Sequence, residues 1–395
     1  MKSNIKSELQ DGTEGEIIHV NELLEYLKRL TDGRKPRGIR YQLETILVFY
    51  ILAKFCGQDK VYGIADWIQQ RKEYLIEGLG LKYPGMPHHS TYRRILGEQI
   101  DGDELEQVMA DYLSQQTQPG QEVVIVIDGK TVRGTIHPKD PFGLHQLAAY
   151  IPDEGIVLMQ MVVEKDKENE IVVAPKLLKC LDLRDKVVTG DAMHTQRQLS
   201  IQIVASGGHF VWIVKDNQAT TRQAIEQLFS PEVKIPGVGN PPTDFRVAST
   251  TEKQSGRLET RTLTASSMLN EYLDWPHIQQ VFKLESKLIN LSTGEVKEEI
   301  RYGITSLPAQ IASPNRLLKI VRSEWGIENG LHYRRDVTFQ EDKTRMTNKD
   351  LARNVTIINN LVISLLNYQG FSNHARARRV FDACPDKALA IIFGL

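Results

Sequence analysis

The chain has 395 residues, 41% of them apolar and 25% charged, with a formal net charge of −1. That length allows two or three domains and a sizeable core, and the near-neutral balance excludes a global electrostatic partner, so any nucleic-acid contact must be local. No apolar run approaches the ~20 residues of a membrane span, and Met1-Lys2-Ser3-Asn4 lacks a signal-peptide core, so a cytoplasmic protein with no membrane partner is expected. The only cysteines, Cys56, Cys180 and Cys384, form no CxxC pair. This excludes a cysteine zinc site, fits a reducing compartment and reads as three small core residues.

Residues 1–18 read as a flexible polar tail, after which Asn21 caps a helix through Leu23, Tyr26, Leu27 and Leu30 that stops at Thr31-Asp32-Gly33. The basic loop Arg34-Lys35-Pro36-Arg37-Gly38-Ile39-Arg40 precedes a strongly apolar helix over 43–55, and a further helix spans about 62–77. Beyond Pro84-Gly85-Met86-Pro87, Ser90 N-caps a short helix bearing Arg93 and Arg94. That helix is a candidate DNA-contacting element, although its spacer is long for a tight helix-turn-helix. Residues 19–118 thus form an N-terminal all-helical domain, closed by a polar linker with Pro119-Gly120.

The pattern then changes to strands alternating with helices. Val123–Ile127 reads as a strand buried on both faces and ended by Asp128. An extended segment over 144–150 and a strand over 156–163 follow, then a helix from 170, a short strand over 187–189, a helix over 195–206 and a strand from 209 to 215. The order βββαβαβ suits a mixed α/β sheet. Regularity breaks from about Ala219 through Pro236–Pro242, and alternating runs at 257–263, 281–290 and 301–305 mark a β-rich insertion over 219–306. Residues 307–395 return to helices, including one over 350–368 and the basic run His374-Ala375-Arg376-Ala377-Arg378-Arg379.

Three carboxylates stand out. Asp128 and Asp191 each follow a short apolar strand at its C-terminal edge, and Glu328 lies in Glu324-Trp325-Gly326-Ile327-Glu328-Asn329, which has helical spacing. Hard oxygen ligands on rigid elements suit a pair of Mg2+ or Mn2+ ions. Two such ions about 4 Å apart can activate a water or a 3′-hydroxyl on one side of a phosphodiester and stabilise the leaving oxygen on the other. Taken alone, an aspartate after an apolar strand is more often a turn former.

The surrounding motifs decide between these readings. They are Ile127-Asp128-Gly129-Lys130-Thr131-Val132-Arg133-Gly134, Thr189-Gly190-Asp191-Ala192-Met193-His194-Thr195-Gln196, Val214-Lys215-Asp216-Asn217-Gln218 and Trp325-Gly326-Ile327-Glu328-Asn329-Gly330-Leu331-His332-Tyr333. In these residues and their order, nearly the whole chain resembles the DDE transposases of bacterial insertion sequences, in the ISAs-type group that includes the H-repeat-associated proteins. The resemblance implies an RNase H-like catalytic core, a β insertion before the helix bearing the glutamate, and an N-terminal transposase-associated domain. Around the glutamate, where the wider superfamily has tyrosine, arginine and lysine, this chain has Val321, Glu324 and Arg335.

The expected activity is divalent-metal-dependent cleavage of DNA at insertion-sequence ends, followed by strand transfer of the 3′-hydroxyl into target DNA. Asp128, Asp191 and Glu328 would be both catalytic residues and metal ligands. The partners are the terminal inverted repeats, target DNA and a second copy of the chain in a nucleoid-associated homodimer, since two ends must be joined. Lys130, Arg133, Lys215, Arg334 and Arg335 are candidate phosphate contacts, with solvated surface charge as the alternative. His194 and His332 either position a phosphate or are hydrogen-bonded structural histidines. An RNase H-like nuclease without strand transfer and a catalytically silent DNA-binding descendant remain as alternatives.

Overall fold

The computed structural model describes residues 23–37, 39–82, 84–117, 123–164, 168–230, 243–254 and 256–393. The expected tail over 1–18, the Asn21 cap, Pro119-Gly120 and the run from Pro236 to Pro242 lie outside these residues. In chain order the helices and strands begin with α1 (Leu23–Leu27), α2 (Leu43–Phe55), α3 (Val61–Gln70), α4 (Lys72–Leu79), α5 (His89–Arg94), α6 (Gly102–Ser114), β1 (Val124–Val132), β2 (Leu144–Ile151) and β3 (Ile156–Val162). They continue with α7 (Glu170–Lys179), β4 (Val187–Gly190), α8 (Arg197–Ala205), β5 (His209–Val214), α9 (Ala219–Leu228), β6 (Arg246–Gln254), β7 (Arg257–Ser266), β8 (Gln280–Asn290) and β9 (Val296–Thr305). The last are α10 (Pro314–Ile327), α11 (Lys349–Tyr368), α12 (His374–Ala383) and α13 (Pro385–Phe393). Among the described residues no helix is long and apolar enough to cross a membrane.

The chain divides into two units, one made of Met1–Pro119, Gly129–Lys167 and Ile327–Leu395 and the other of Gly120–Asp128 and Glu168–Gly326. In the first, α2 is buried on nearly all sides, as its unbroken apolar sequence requires. It even encloses Lys54, whose ammonium lies 3.6 Å from Asp59. The single helix expected over 62–77 is broken at Arg71 (φ −110°, ψ 19°) into α3 and α4; the Arg71 guanidinium stacks on Trp67 and pairs with Asp382 at 3.1 Å. The N-cap of α5 is His88 rather than Ser90, its ring nitrogen accepting the Ser90 N–H. Helix α6, capped by Asp101, adds an element to the sequence reading. Strands β2 and β3 pair antiparallel, and the order in this unit is β3-β2-β1. Helix α11 is buried from Leu351 to Leu366 except at Arg353, as a central helix must be.

In the second unit the order is β1-β4-β5-β9-β8-β7-β6, β1 contributing its Val124–Asp128 end. The β1–β4 and β4–β5 pairings are parallel. Strand β9 then joins antiparallel to β5 (Val211↔Thr305), so the β-rich segment continues the same sheet. Strands β8 and β9 are buried near Gln280 and Thr305; β8 is half-buried toward Asn290, and β9 is exposed toward Val296. Helix α9 replaces the irregular chain expected from Ala219; Ile225 is its one buried residue, too little apolar content to show a period. Of the cysteines, Cys56 is buried, whereas Cys180 and Cys384 are exposed, against the expectation of three core residues.

Candidate active site

In the second unit the parallel ladder between β1 and β4 ends at the pair Ile127↔Gly190, so Asp128 and Asp191 are the next residues on two adjacent strands. Asp128 does not terminate its strand as the sequence suggested: β1 runs on to Val132, and what ends at Ile127 is the pairing with β4. Gly190 is required by that close approach, because a Cβ there would lie 2.7 Å from the Ile127 carbonyl oxygen. Asp191 turns the chain out of the sheet, one carboxylate oxygen accepting the Ala192 N–H at 2.6 Å. The same oxygen lies 3.4 Å from the ammonium of Lys215, at the end of β5.

Hydrogen bonds between the motifs hold this edge. The Asn217 amide donates to the Ala192 carbonyl at 2.7 Å, the Gln218 amide to the Thr195 carbonyl at 3.1 Å, and the Thr195 hydroxyl to the Ile213 carbonyl at 2.7 Å. His194 is fully buried, with Nε2 3.3 Å from a Glu170 carboxylate oxygen. Helix α10 adds a carboxylate that the sequence reading noted only as a neighbour. Burial pushes Glu324 up to about 7, Asp191 and Asp128 push in the same direction, and Arg301 and Lys215 oppose them. The charges facing Glu324 are thus mixed, two acidic and two basic, and burial is the main cause of its shift. Such coupling arises from the fold and leaves no local signature in the sequence.

In the first unit, the Glu328–His332 segment forms a π-helical turn directly after α10. The Glu328 carboxylate is mostly exposed, 3.6 Å from His332 Nδ1, and its hydrogen bond with His332 holds it below the ordinary glutamate value. Burial lowers the pKa of His332 in turn. Gly330 leaves room for the Tyr150 hydroxyl, which would lie 2.3 Å from a Cβ at that position. Lys130 is 10% exposed and pairs with Asp336 at 2.7 Å. Arg133 is exposed, with its backbone N–H on Asp342.

Arg335 is not a surface cation. It is buried, with its guanidinium 2.7 Å from the equally buried Glu341, and a second donor reaches Gln146. Burial opposes the Glu341 carboxylate, but the Arg335 charge and hydrogen bonds from Arg335 and Asn359 outweigh it and lower its pKa. The network extends through Thr356 and Gln160 to Glu106 on α6. Arg334 is half-buried against Asn367 and His374. Arg378 is buried on Asp59, while Arg93, Arg94, Arg376 and Arg379 are exposed.

With this geometry in view, comparison with known families is decisive. The Transposase DDE domain matches residues 119–365, and the DDE_Tnp_1-associated domain matches residues 24–113. The chain belongs to the DDE transposase family. The provisionally named transposase YncI of Escherichia coli O157:H7 is 29% identical over 88% of this chain and 88% of its own length. The provisionally named H repeat-associated transposase YhhI of E. coli K12 is 25% identical over 94% of this chain and 97% of its own. The piggyBac transposase, solved in a synaptic complex with hairpin DNA, aligns at a TM-score of 0.42 and 10% identity, covering 93% of this chain and 78% of that one. The insertion-sequence resemblance read from the four motifs therefore holds. In this transposase, Lys215 lies beside an acidic residue of its own unit and Lys130 two residues after Asp128 on β1, whereas Arg335 belongs to the core.

Proposed function

We propose that this transposase cuts DNA at the ends of its element and joins the freed 3′-hydroxyls to target DNA, with Asp128, Asp191 and Glu328 holding two divalent ions, magnesium or manganese. The observation that carries the reading is the placement of Asp128 and Asp191 just past the last parallel pair of adjacent strands. The donor set fits such ions: hard carboxylate oxygens on rigid elements. Bound there, the ions would lower the pKa of a water or 3′-hydroxyl and stabilise the departing oxygen. Glu328 is favoured over Glu324 as the third ligand because it is exposed and held ionised, whereas Glu324 is close to half-protonated at neutral pH.

The chain's own cations then orient the substrate. Lys215 beside Asp191, Lys130 on β1 and exposed Arg133 would take backbone phosphates, fixing which phosphodiester faces the carboxylates. In this reading residues 119–218 and the helices after 307 form an RNase H-like core with 219–306 inserted, and a homodimer near the nucleoid brings two element ends together. The test supplies labelled duplexes ending in the element's inverted repeats, with magnesium and a target plasmid. Nicked ends and joined products are expected from the wild type and from none of D128N, D191N and E328Q. Nicking without joining would favour a nuclease, and neither product a silent DNA-binding descendant.

A further inference from the structure

A second concentration of charge lies in the N-terminal helical region, far along the chain from the carboxylates. A cavity of about 1060 Å³ is lined by Arg34, Lys35, Arg37, Arg40 and Arg94, with His88 beside them and no acidic side chain among the described lining residues. Arg34 has a partner: its guanidinium makes a two-pronged pair with Asp32, at 2.8 and 2.6 Å, and donates to the Tyr41 carbonyl at 3.0 Å. Lys35, Arg37, Arg40 and Arg94 are exposed and have no ion-pair partner among the described residues. Elsewhere Arg71, Arg184, Arg197, Arg222, Arg301 and Arg322 each sit on a carboxylate.

The walls of the cavity are fixed. A Cβ at Gly33 would lie 2.7 Å from the Gln99 carbonyl oxygen, so the basic loop is pressed against the turn that follows α5. The Tyr41 hydroxyl donates to the Gly85 carbonyl and ties the other end of the loop to the Pro84–Pro87 turn. Folding therefore brings like charges together, and of the lining cations Arg34 has the Asp32 carboxylate as partner while Lys35, Arg37, Arg40 and Arg94 have no ion pair among the described residues. A ligand with several closely spaced negative charges relieves that repulsion, and guanidinium groups match phosphate oxygens in geometry.

We propose that this cavity binds the phosphate backbone of duplex DNA as an anchoring site separate from the carboxylates. Lysine and arginine neutralise backbone phosphates whatever the bases, and that contribution is independent of sequence. The choice of DNA over RNA rests on the proposed activity, and the experiment is arranged so that the two ideas fail separately. Binding of the full-length protein to a short labelled duplex is measured by fluorescence anisotropy in EDTA, between about 50 and 200 mM salt.

The triple variant R37Q/R40Q/R94Q is expected to bind at least ~10-fold more weakly, and its log–log salt slope should fall by roughly 2–3, about 0.9 for each phosphate no longer neutralised. K60Q/K72Q/K82Q removes the same charge from the same region outside the cavity and should match the wild type. Circular dichroism verifies folding, which surface cations without partners should not affect. Wild-type affinity and slope in the cavity variant would overturn the proposal. Equal losses in both triple variants would reduce it to general charge, and tighter binding of duplex RNA or inhibition by inorganic phosphate alone would assign the cavity to another ligand.

Discussion

Replacing Arg335 by methionine distinguishes a core cation from a DNA contact. The guanidinium is 1% exposed and the Glu341 side chain 0%, so the substitution leaves a carboxylate in the interior with the Asn359 amide at 3.0 Å as a donor. Stranding one partner of a buried pair costs ~3–5 kcal/mol. At ~2–4 °C per kcal/mol for a unit of this size, the melting midpoint should fall by roughly 6–20 °C. Calorimetry on R335M measures that fall, and R335M/E341L should recover most of it, because removing both charges removes the stranded one. Duplex binding in EDTA, measured well below the midpoint, should be unchanged in both variants. A stable R335M that binds DNA poorly would refute the reasoning and return Arg335 to the surface role its motif suggested.

Gly330→Ala should destabilise the same unit by ~1–3 kcal/mol through overpacking against the Tyr150 hydroxyl. Urea unfolding should show G330A/Y150F more stable than G330A; no difference would mean the contact is not the cause. Glu106→Gln tests a buried carboxyl raised by burial from 4.5 to about 7. The folded protein holds this proton more tightly than the unfolded chain, so the group's contribution is complete below about 4.5 and is lost as pH rises through about 7. Relative to E106Q, the wild type should lose up to ~3 kcal/mol across that window, and a pH-independent difference would exclude the assignment. Between the two glutamates of the α10 region, E328Q should reduce DNA cleavage by ~10³-fold or more and E324Q by far less. The reverse order would make Glu324 the third acid.

The two aspartates were legible because each follows a short run buried on both faces, and a polar residue after such a run is conspicuous. The true extent of β1 was not, since Gly129-Lys130-Thr131 carries no apolar period and is held as strand by its neighbours. Arg335 was misread for a related reason. A cation's burial depends on Glu341, Gln146 and Asn359 converging from separate elements, and nothing in Tyr333-Arg334-Arg335-Asp336 announces them. The coupling of Glu324 to Asp128 and Asp191 is likewise a product of topology. The basic loop after Gly33 and the Arg93-Arg94 helix were each visible, but not that the fold closes them around one cavity.

The most direct test of the central claim is strand joining from pre-cut ends. Duplexes with exposed 3′-hydroxyls on the element's terminal repeats are incubated with a target plasmid, magnesium and the purified protein, and covalent end–plasmid products are counted. The account predicts joining by the wild type, loss of joining in D128N, D191N and E328Q, and retained duplex binding in all three. Joining that persists without any one of these carboxylates would contradict it.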